Sequence, residues 1–469
     1  MAKILMIQLQ AIPYCGTAYL NSAVKSRGHD FHLYLHLDNK NEKVLQKIDE
    51  IKPDIIGFSA MTGFHIQALA LAREIKMKYN QPIIMGGAHP TLFPEVIYEE
   101  GLDIICLGEG EFALMELIDA IEYKKPYNDI KNLWVKENDK VYKNPLRPLV
   151  DPLDYVPLID WSCYIGTPVQ NSSAVAFVIR GCPYSCSYCF NETVKTMYNG
   201  LGKYVRYFSV ERAIKEIEQS LKVLKQDSVL FLSDTFGINS EWMEQFLSEY
   251  SKKINLPYII LLRPELATEK NIEILGKYHC NTVGIGVESG SERVRKEILH
   301  RNYSNQRLLD IAENLHKNKI NVRTYNMIGL PGESEEEIWE TLQLNIRMKV
   351  EYPRGAIFMP FPNTKIVDYA KENGYLENDF SFNSIPNSIL SHSILKKINT
   401  DRIKNYLYFF QSIILFPRLK NFFKLLIGQK PNILFRLWFY LVYANIQRKS
   451  ESRGLTSYIK FVISNIGKI

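Results

Sequence analysis

The strongest chemical signal in the chain lies in one short loop. Gly181-Cys182-Pro183-Tyr184-Ser185-Cys186-Ser187-Tyr188-Cys189-Phe190 places three cysteines at C-x3-C-x2-C spacing. Thiolates are soft ligands that suit iron–sulfur clusters or zinc. A closed structural zinc site takes four protein ligands, and no fourth Cys or His stands nearby in sequence. Three thiolates on a four-iron cluster leave one iron open to a substrate or cofactor. A zinc knuckle is the plainer alternative. The other four cysteines, Cys15, Cys106, Cys163 and Cys280, are scattered. Cys106 reads as strand core, and the rest as small apolar residues, with a hydrogen-atom-donating thiol as the alternative for one of them. Seven cysteines so distributed are not a secreted disulfide framework and fit a reducing compartment.

The scaffold for that loop must come from the rest of the 469 residues, which are 46% hydrophobic and 23% charged. This composition is globular and excludes disordered and fibrous classes. The first apolar run is too short for a signal-peptide core, and no stretch of about 18 uncharged apolar residues occurs, so a cytoplasmic protein is expected. Residues 1–123 alternate apolar runs at 4–9, 31–35, 55–58, 83–85 and 104–107 with helical patterns at 18–26, 44–51, 65–79 and 112–121. That rhythm predicts a Rossmann-like, doubly wound α/β domain with its ligand beyond the strand C-termini. Residues 124–172 lose the rhythm and read as a linker with one hairpin. Between 173 and 365 it resumes. Strands are predicted at 174–179, 228–232, 258–262, 282–287, 322–327 and 356–359, with helices near 210–224, 240–253, 269–277, 292–298, 305–318 and 334–348. Six such β/α units predict a partial (β/α)6 TIM-type barrel whose site lies at the strand ends. Residues 366–469 read as a helical, basic and aromatic C-terminal region.

On these residues the chain resembles the radical S-adenosylmethionine (SAM) superfamily, whose signature is CxxxCxxC after the first strand of a partial barrel. The resemblance implies that Cys182, Cys186 and Cys189 hold a [4Fe–4S] cluster whose open iron binds SAM, with Tyr188 beside the adenine. Later strand ends also match. Ser233-Asp234-Thr235 falls where the family contacts the methionine part of SAM, and Arg263 ends the next strand. Glu288 and Ser289, in Gly286-Val287-Glu288-Ser289-Gly290, fall where the family holds the ribose. Ile328 and Gly329, in Met327-Ile328-Gly329-Leu330-Pro331-Gly332-Glu333, fall near the adenine.

The N-terminal loops sharpen the resemblance. Gly57-Phe58-Ser59-Ala60-Met61-Thr62, Gly86-Gly87-Ala88-His89-Pro90-Thr91 and Gly108-Glu109-Gly110-Glu111 are similar to runs in the cobalamin-binding domain of B12-dependent radical SAM proteins. By that resemblance Ser59, Thr62, Gly86, Gly87, His89, Gly108 and Glu109 line a cobalamin slot. The D-x-H-x-x-G motif that supplies a cobalt ligand in other B12 proteins is missing from the loop after the first strand, which reads Gln8-Leu9-Gln10-Ala11-Ile12-Pro13-Tyr14-Cys15-Gly16. His65 and His89 lie near the same edge. The implied activity is cleavage of SAM to a 5′-deoxyadenosyl radical and methylation of an unactivated carbon through methylcobalamin. An oxidative cyclase or rearrangement enzyme, similar to the anaerobic porphyrin ring cyclase, is the alternative. A membrane-docked cluster- or B12-binding module is the non-enzymatic one. The partners implied are a small or lipophilic substrate and an external one-electron reductant.

The formal charge of +6 is uneven. Residues 401–469 hold twelve Lys/Arg and two acids, leaving the rest of the chain net negative. Ile403, Tyr406, Leu407, Phe410, Ile413 and Ile414 keep helical spacing, as do Leu419, Phe422, Phe423, Leu426 and Ile427, and later Leu455, Tyr458, Ile459, Val462, Ile463 and Ile466. Basic amphipathic helices of this kind suit a cap over the barrel, either alone or together with a peripheral contact with an anionic membrane. The cations alternate with bulky aliphatic residues and not with stacking aromatics and glycine, so nucleic acid is not the expected partner. Arg354, Tyr375, Phe380 and His392 are expected at the substrate end.

Overall fold

Near-continuous apolar runs make buried parallel strands, because helices cover both faces of the sheet they enter. A computed structural model shows this at both places the sequence alternates. It describes all residues except 39, 139, 172, 225–227, 234, 386–392 and 451–469. Asp234, His392 and the apolar stripe at 455–466 therefore lie outside the described residues. The chain divides into two compact units. One comprises Met1–Pro183, Phe190–Gln226 and Phe382–Asn387, the other Tyr184–Cys189, Asp227–Ser381 and Ser388–Ile469.

In the first unit β1 (Lys3–Gln8), β2 (Asp30–Leu35), β3 (Ile55–Ser59), β4 (Ile83–Gly86), β5 (Ile104–Cys106), β6 (Leu133–Glu137) and β7 (Lys140–Lys143) form one sheet in the order β2-β1-β3-β4-β5-β6-β7. The first five are parallel, and β6 and β7 are antiparallel additions. The hairpin expected in 124–172 thus extends the sheet. Helices α1 (Cys15–Ser26), α2 (Asn41–Ile51), α3 (His65–Lys76), α4 (Ala88–Leu92) and α5 (Glu111–Glu122) alternate with the strands. Alternation along β1 sends Leu5 and Ile7 into one core with Phe58 and Met85, and Ile4 and Met6 into the other with Ile84 and Ile104. Cys106 packs in the second core, as expected. The strand order reverses between β1 and β3, which sets a ligand crevice beyond their carboxyl ends. The chain then runs through β8 (Ala174–Ala176), β9 (Ile179–Arg180), α6 (Phe190–Met197), β10 (Arg206–Tyr207) and α7 (Val210–Val223).

In the second unit β11 (Val229–Phe231), β12 (Tyr258–Leu262), β13 (Thr282–Glu288), β14 (Asn321–Ile328) and β15 (Tyr352–Ile357) are adjacent and parallel. Helices α8 (Ser240–Lys253), α9 (Glu269–Lys277), α10 (Asn305–Lys317) and α11 (Glu335–Arg347) connect them. Asn239, Thr268, Ser304 and Ser334 cap these helices by accepting from N3 backbone N–H groups, and Ser334 with Glu337 completes a capping box. Residues 292–298, expected as α-helix, contain a π-helical turn at Val294–Ile298. The last strand begins at Tyr352, four residues earlier than expected. Pro353 and Gly355 are turn-favouring residues, yet the strand lies at the sheet edge, where proline is tolerated. A Cβ on Gly355 would stand 2.9 Å from the Phe410 ring, so glycine here admits a helix from the C-terminal region.

Beyond α12 (Lys365–Glu372), that region folds as α13 (Thr400–Leu415), α14 (Lys420–Ile427) and α15 (Ile433–Ser450). The α13 stripe of Ile403, Tyr406, Leu407, Phe410, Ile413 and Ile414 is wholly buried, in one core with Ile328, Ile338, Leu342 and Ile357. This first stripe is a cap on the strands. Among the described residues no helix is long and apolar enough to cross a membrane.

Candidate functional site

Gly181 precedes the cysteines at φ +90°, and a Cβ there would lie 2.1 Å from the Tyr204 carbonyl oxygen. Only glycine allows that approach. Cys182 belongs to the first unit, whose stretch ends at Pro183, while Cys186 and Cys189 belong to the second. Within the second unit Ser187 pins the loop. Its N–H donates to Leu299 O at 3.2 Å, its hydroxyl to Ile298 O at 2.5 Å, and its carbonyl accepts from Ile366 N at 3.0 Å. On one side of this anchor Cys186 is buried, and its Sγ accepts from Arg263 Nη1 at 3.2 Å. The Arg263 guanidinium lies 3.7 Å from the centre of the Tyr184 ring and donates from Nη2 to Glu265 at 2.7 Å. On the other side Arg301 Nη1 donates to the Tyr188 hydroxyl at 3.1 Å and to Glu288 Oε1 at 2.7 Å. Glu288 itself stands at φ +63° beside an irregularity in the β13–β14 register, a strained position held by this pairing.

Cation and ring thus orient the cysteine loop from the ends of β12 and β13. Arg263 sits where a cationic donor stabilises a thiolate. Among the described residues no three His, Cys, Asp or Glu side chains gather as a ready single-ion site. The donor chemistry, three thiols with a guanidinium on one of them, fits an iron–sulfur cluster. Ser233 is buried just past β11. Ser289, also buried, donates to Glu333 Oε1 at 3.2 Å, and Glu333 Oε2 accepts from Gly329 N at 2.8 Å and Leu330 N at 3.2 Å. Burial pushes the Glu333 carboxyl up to about 8 against the pull of these donors. Ile328 packs into the α13 core, and Gly329 faces Ile403, so these two shape the strand end from behind. Arg354 donates to the Tyr443 hydroxyl at 2.8 Å.

In the first unit the loop after β1, where a D-x-H-x-x-G motif would sit, is shaped by the buried Gln8. Its Nε2 donates to Gln10 O at 2.6 Å and Ile12 O at 2.9 Å, and its Oε1 accepts from the Tyr164 hydroxyl at 2.7 Å. Beyond β3 and β4, His65 and His89 are both fully buried and stack at 3.8 Å, with the Phe382 ring edge-on to each. Thr62 Oγ1 is 3.1 Å from His89 Nδ1, while His89 Nε2 is buried without a hydrogen-bond partner. Ser59 and Gly86 are register partners at the ends of β3 and β4. Gly87 at φ +97° packs on Ala60, where a Cβ would lie 2.9 Å from the carbonyl oxygen. Burial, with the His65 charge second, lowers the His89 pKa to about 3. The folded state therefore holds this imidazole neutral, while the unfolded chain protonates it near pH 6.5. The stability His89 contributes is full above pH 6.5 and falls as pH drops toward 3. Chemical denaturation of the apoprotein should therefore show a His89-dependent share of roughly 2 kcal/mol less stability at pH 5 than at pH 7.5, read as the difference between the pH profiles of the parent and His89→Leu.

After β5 the loop is held by ion pairs. Glu109 accepts from Arg180 Nη1 at 3.2 Å and Arg206 Nη2 at 2.6 Å, and Arg180 Nη2 donates to Glu111 at 2.8 Å. Burial raises the Glu109 pKa, but the two guanidiniums outweigh it and the carboxylate stays charged. Gly108 at φ +70° is closed by Tyr198, for a Cβ there would lie 1.8 Å from the hydroxyl oxygen. That hydroxyl accepts from Glu109 N at 3.2 Å. Gly108→Ala should cost roughly 2–3 kcal/mol, and less in a Tyr198→Phe background, as read by urea unfolding.

Arg301, Arg180, Arg206 and Glu333 were not among the expected site residues. Each works through a partner distant in sequence, and Glu333 alone had a signal, its place in the Gly-Leu-Pro-Gly-Glu turn. The thiols of Cys15, Cys106, Cys163 and Cys280 are pushed up by burial and stay protonated.

Two family models match the chain, the radical SAM superfamily over residues 177–344 and the B12 binding domain over residues 10–118. The chain contains a radical SAM domain and a B12 binding domain. An uncharacterized methyltransferase of Pyrococcus horikoshii is 29% identical over 376 residues, 78% of this chain and 80% of its own. The anaerobic magnesium-protoporphyrin IX monomethyl ester cyclase of Rubrivivax gelatinosus is 24% identical over 378 residues, 75% of this chain and 65% of its own. Among solved structures, the radical SAM methyltransferase TsrM of Kitasatospora setae, with cobalamin and a [4Fe–4S] cluster bound, matches with a TM-score of 0.67. The match has 15% identity over 79% of this chain and 78% of that one, so the likeness is one of fold. The family and the fold class are those expected from the cysteine loop and the strand-end motifs.

Proposed function

We propose that the chain is a cobalamin-dependent radical SAM enzyme that methylates an unactivated carbon of a small or lipophilic substrate, drawing electrons from an external one-electron reductant. The observation that carries this reading is the buried Cys186, with the Arg263 donor on its sulfur, in a C-x3-C-x2-C loop of a chain that also has a B12-binding domain. Cys182, Cys186 and Cys189 would hold the cluster. Tyr188, Ser233, Asp234, Arg263, Glu288 and Ser289 would face SAM, with Ile328 and Gly329 setting the strand end behind it. Ser59, Thr62, Gly86, Gly87 and His89 would border the cobalamin, and the unpartnered His89 Nε2 suits a polar ligand there. Gly108 and Glu109 would support that border through Tyr198 and the arginine pair. When bound, these groups supply one-electron cleavage of SAM and methyl transfer.

The chain's own work is to orient and to exclude water. Arg263 holds the Cys186 sulfur and a stacked ring, Arg301 fixes Tyr188 against Glu288, and Ser187 locks the loop backbone between them. The domain reading is a cobalamin-binding part at 1–123, a connecting part at 124–172, a radical SAM core at 173–365 and a helical region at 366–469. The cyclase relative supports the same cofactors with a different outcome on the substrate. We also read a peripheral membrane contact into the basic C-terminal region.

Anaerobic reconstitution of the full chain with iron, sulfide and cobalamin tests the cofactor part. Absorbance and metal analysis should find about four irons and one corrin per chain. Zinc in place of iron, or no retained corrin after gel filtration, would overturn it.

A further inference from the structure

The helices after α13 do not share its burial. Among the described residues nineteen large apolar side chains are exposed, and eight of them fall between 416 and 441. Six of them form two stripes. Leu419, at the N-cap of α14, and Phe422 and Leu425 along it recur every third residue, away from the buried Phe423 and Ile427. Leu434, Trp438 and Leu441, spaced by four and three, do the same along α15, opposite the buried Phe439. Leu425 is 71% exposed and Leu434 70%. Such density on two consecutive helices that both pack on α13 is not the scattered exposure that any surface shows.

The charges have one sign. From 402 to 450 the chain contains no Asp or Glu, and Arg418, Lys420, Lys424, Lys430 and Arg436 lie among the apolar stripes. Trp438 donates its indole N–H inward to Ser412 Oγ at 2.8 Å and leaves part of its ring outward. An indole with its polar end satisfied and its ring exposed suits the boundary between headgroups and acyl chains. No described helix is long and apolar enough to cross a bilayer, so the geometry is that of a helix pair lying in the interface.

We infer that the outward face of α14 and α15 docks on the surface of an anionic lipid bilayer, its leucines and aromatics entering the acyl boundary and its five cations meeting the headgroups. Charge complementarity selects this occupant. A second copy would bring charge of the same sign to the contact. The inference is independent of the catalytic reading and stands or falls without it. It also narrows the membrane expectation from the whole of 401–469 to this face, because the α13 stripe is core.

The test is flotation of the full chain with vesicles of 30:70 phosphatidylglycerol and phosphatidylcholine, against vesicles of phosphatidylcholine alone. Binding to the anionic vesicles should be at least about tenfold stronger and should weaken at high salt. Leu425→Glu with Leu434→Glu should abolish it, and Lys420→Gln, Lys424→Gln and Lys430→Gln together should reduce it about tenfold or more, both with unchanged circular dichroism. These leucines are exposed, so the fold does not depend on them. Equal binding to both vesicles, no binding, or variants that bind like the parent would overturn the inference. So would a lipid-independent dimer that Leu425→Glu converts to monomer.

Discussion

Cys186→Ala should remove the iron–sulfur absorbance and all SAM cleavage from the reconstituted protein while leaving it folded. The loss is large because the loop has three thiols and no neighbouring substitute, so a cluster on two ligands has no stable attachment. The fold should survive because the side chain is small, and because Arg263 keeps two other partners, Glu265 at 2.7 Å and the Tyr184 ring at 3.7 Å. The loop backbone is held separately through Ser187. A cost of about 1–2 kcal/mol is expected from a buried thiol exchanged for a methyl group. Iron and sulfide analysis, electron paramagnetic resonance of the reduced protein and mass spectrometry of the SAM products read the outcome. A variant with full iron and undiminished cleavage would sink the ligand assignment.

Glu109→Ala should destabilise the first unit by about 3 kcal/mol or more, with Glu109→Gln between it and the parent. The reason is the company the carboxylate keeps. Arg206 is almost fully buried and its other acceptor is the Val150 carbonyl, so removal of Glu109 leaves a guanidinium inside the protein without its counter-charge. Arg180 loses less, since it retains Glu111 at 2.8 Å. Urea unfolding of the apoprotein, followed by far-ultraviolet circular dichroism, measures the effect. If Glu109 instead served a bound ligand alone, the apoprotein of the variant would be as stable as the parent.

That second prediction marks where sequence reading and structure part. Gly108-Glu109-Gly110-Glu111 was legible as a strand-end loop, and its family resemblance pointed at a cofactor. Nothing local told that Arg180 and Arg206, roughly seventy and a hundred residues on, would occupy the carboxylate, or that Tyr198 would close on Gly108. The parallel strands themselves were plain, because helices on both faces force unbroken apolar runs such as Ile4-Leu5-Met6-Ile7. The last strand was harder. Its Pro353 and Gly355 carry turn signals locally, and only the edge position and the Phe410 ring explain them. The cysteine loop was readable by spacing alone, yet the Arg301 link between Tyr188 and Glu288 depends on tertiary contacts with no periodicity to betray them. Helical spacing in the C-terminal region marked α13 and α14. It could not say which side chains are covered: the α13 stripe is buried whole, whereas in the next one Phe423 and Ile427 are buried and Leu419 and Phe422 exposed.

The central claim, that this scaffold performs SAM-dependent methylation with both cofactors, is tested most directly by the products of SAM. The full chain, reconstituted with cluster and cobalamin and given a one-electron reductant under strict anaerobiosis, should release S-adenosylhomocysteine together with 5′-deoxyadenosine. 5′-Deoxyadenosine without S-adenosylhomocysteine would contradict methylation and favour a cyclase or rearrangement, and a protein that holds both cofactors but releases neither product would contradict the enzymatic reading altogether.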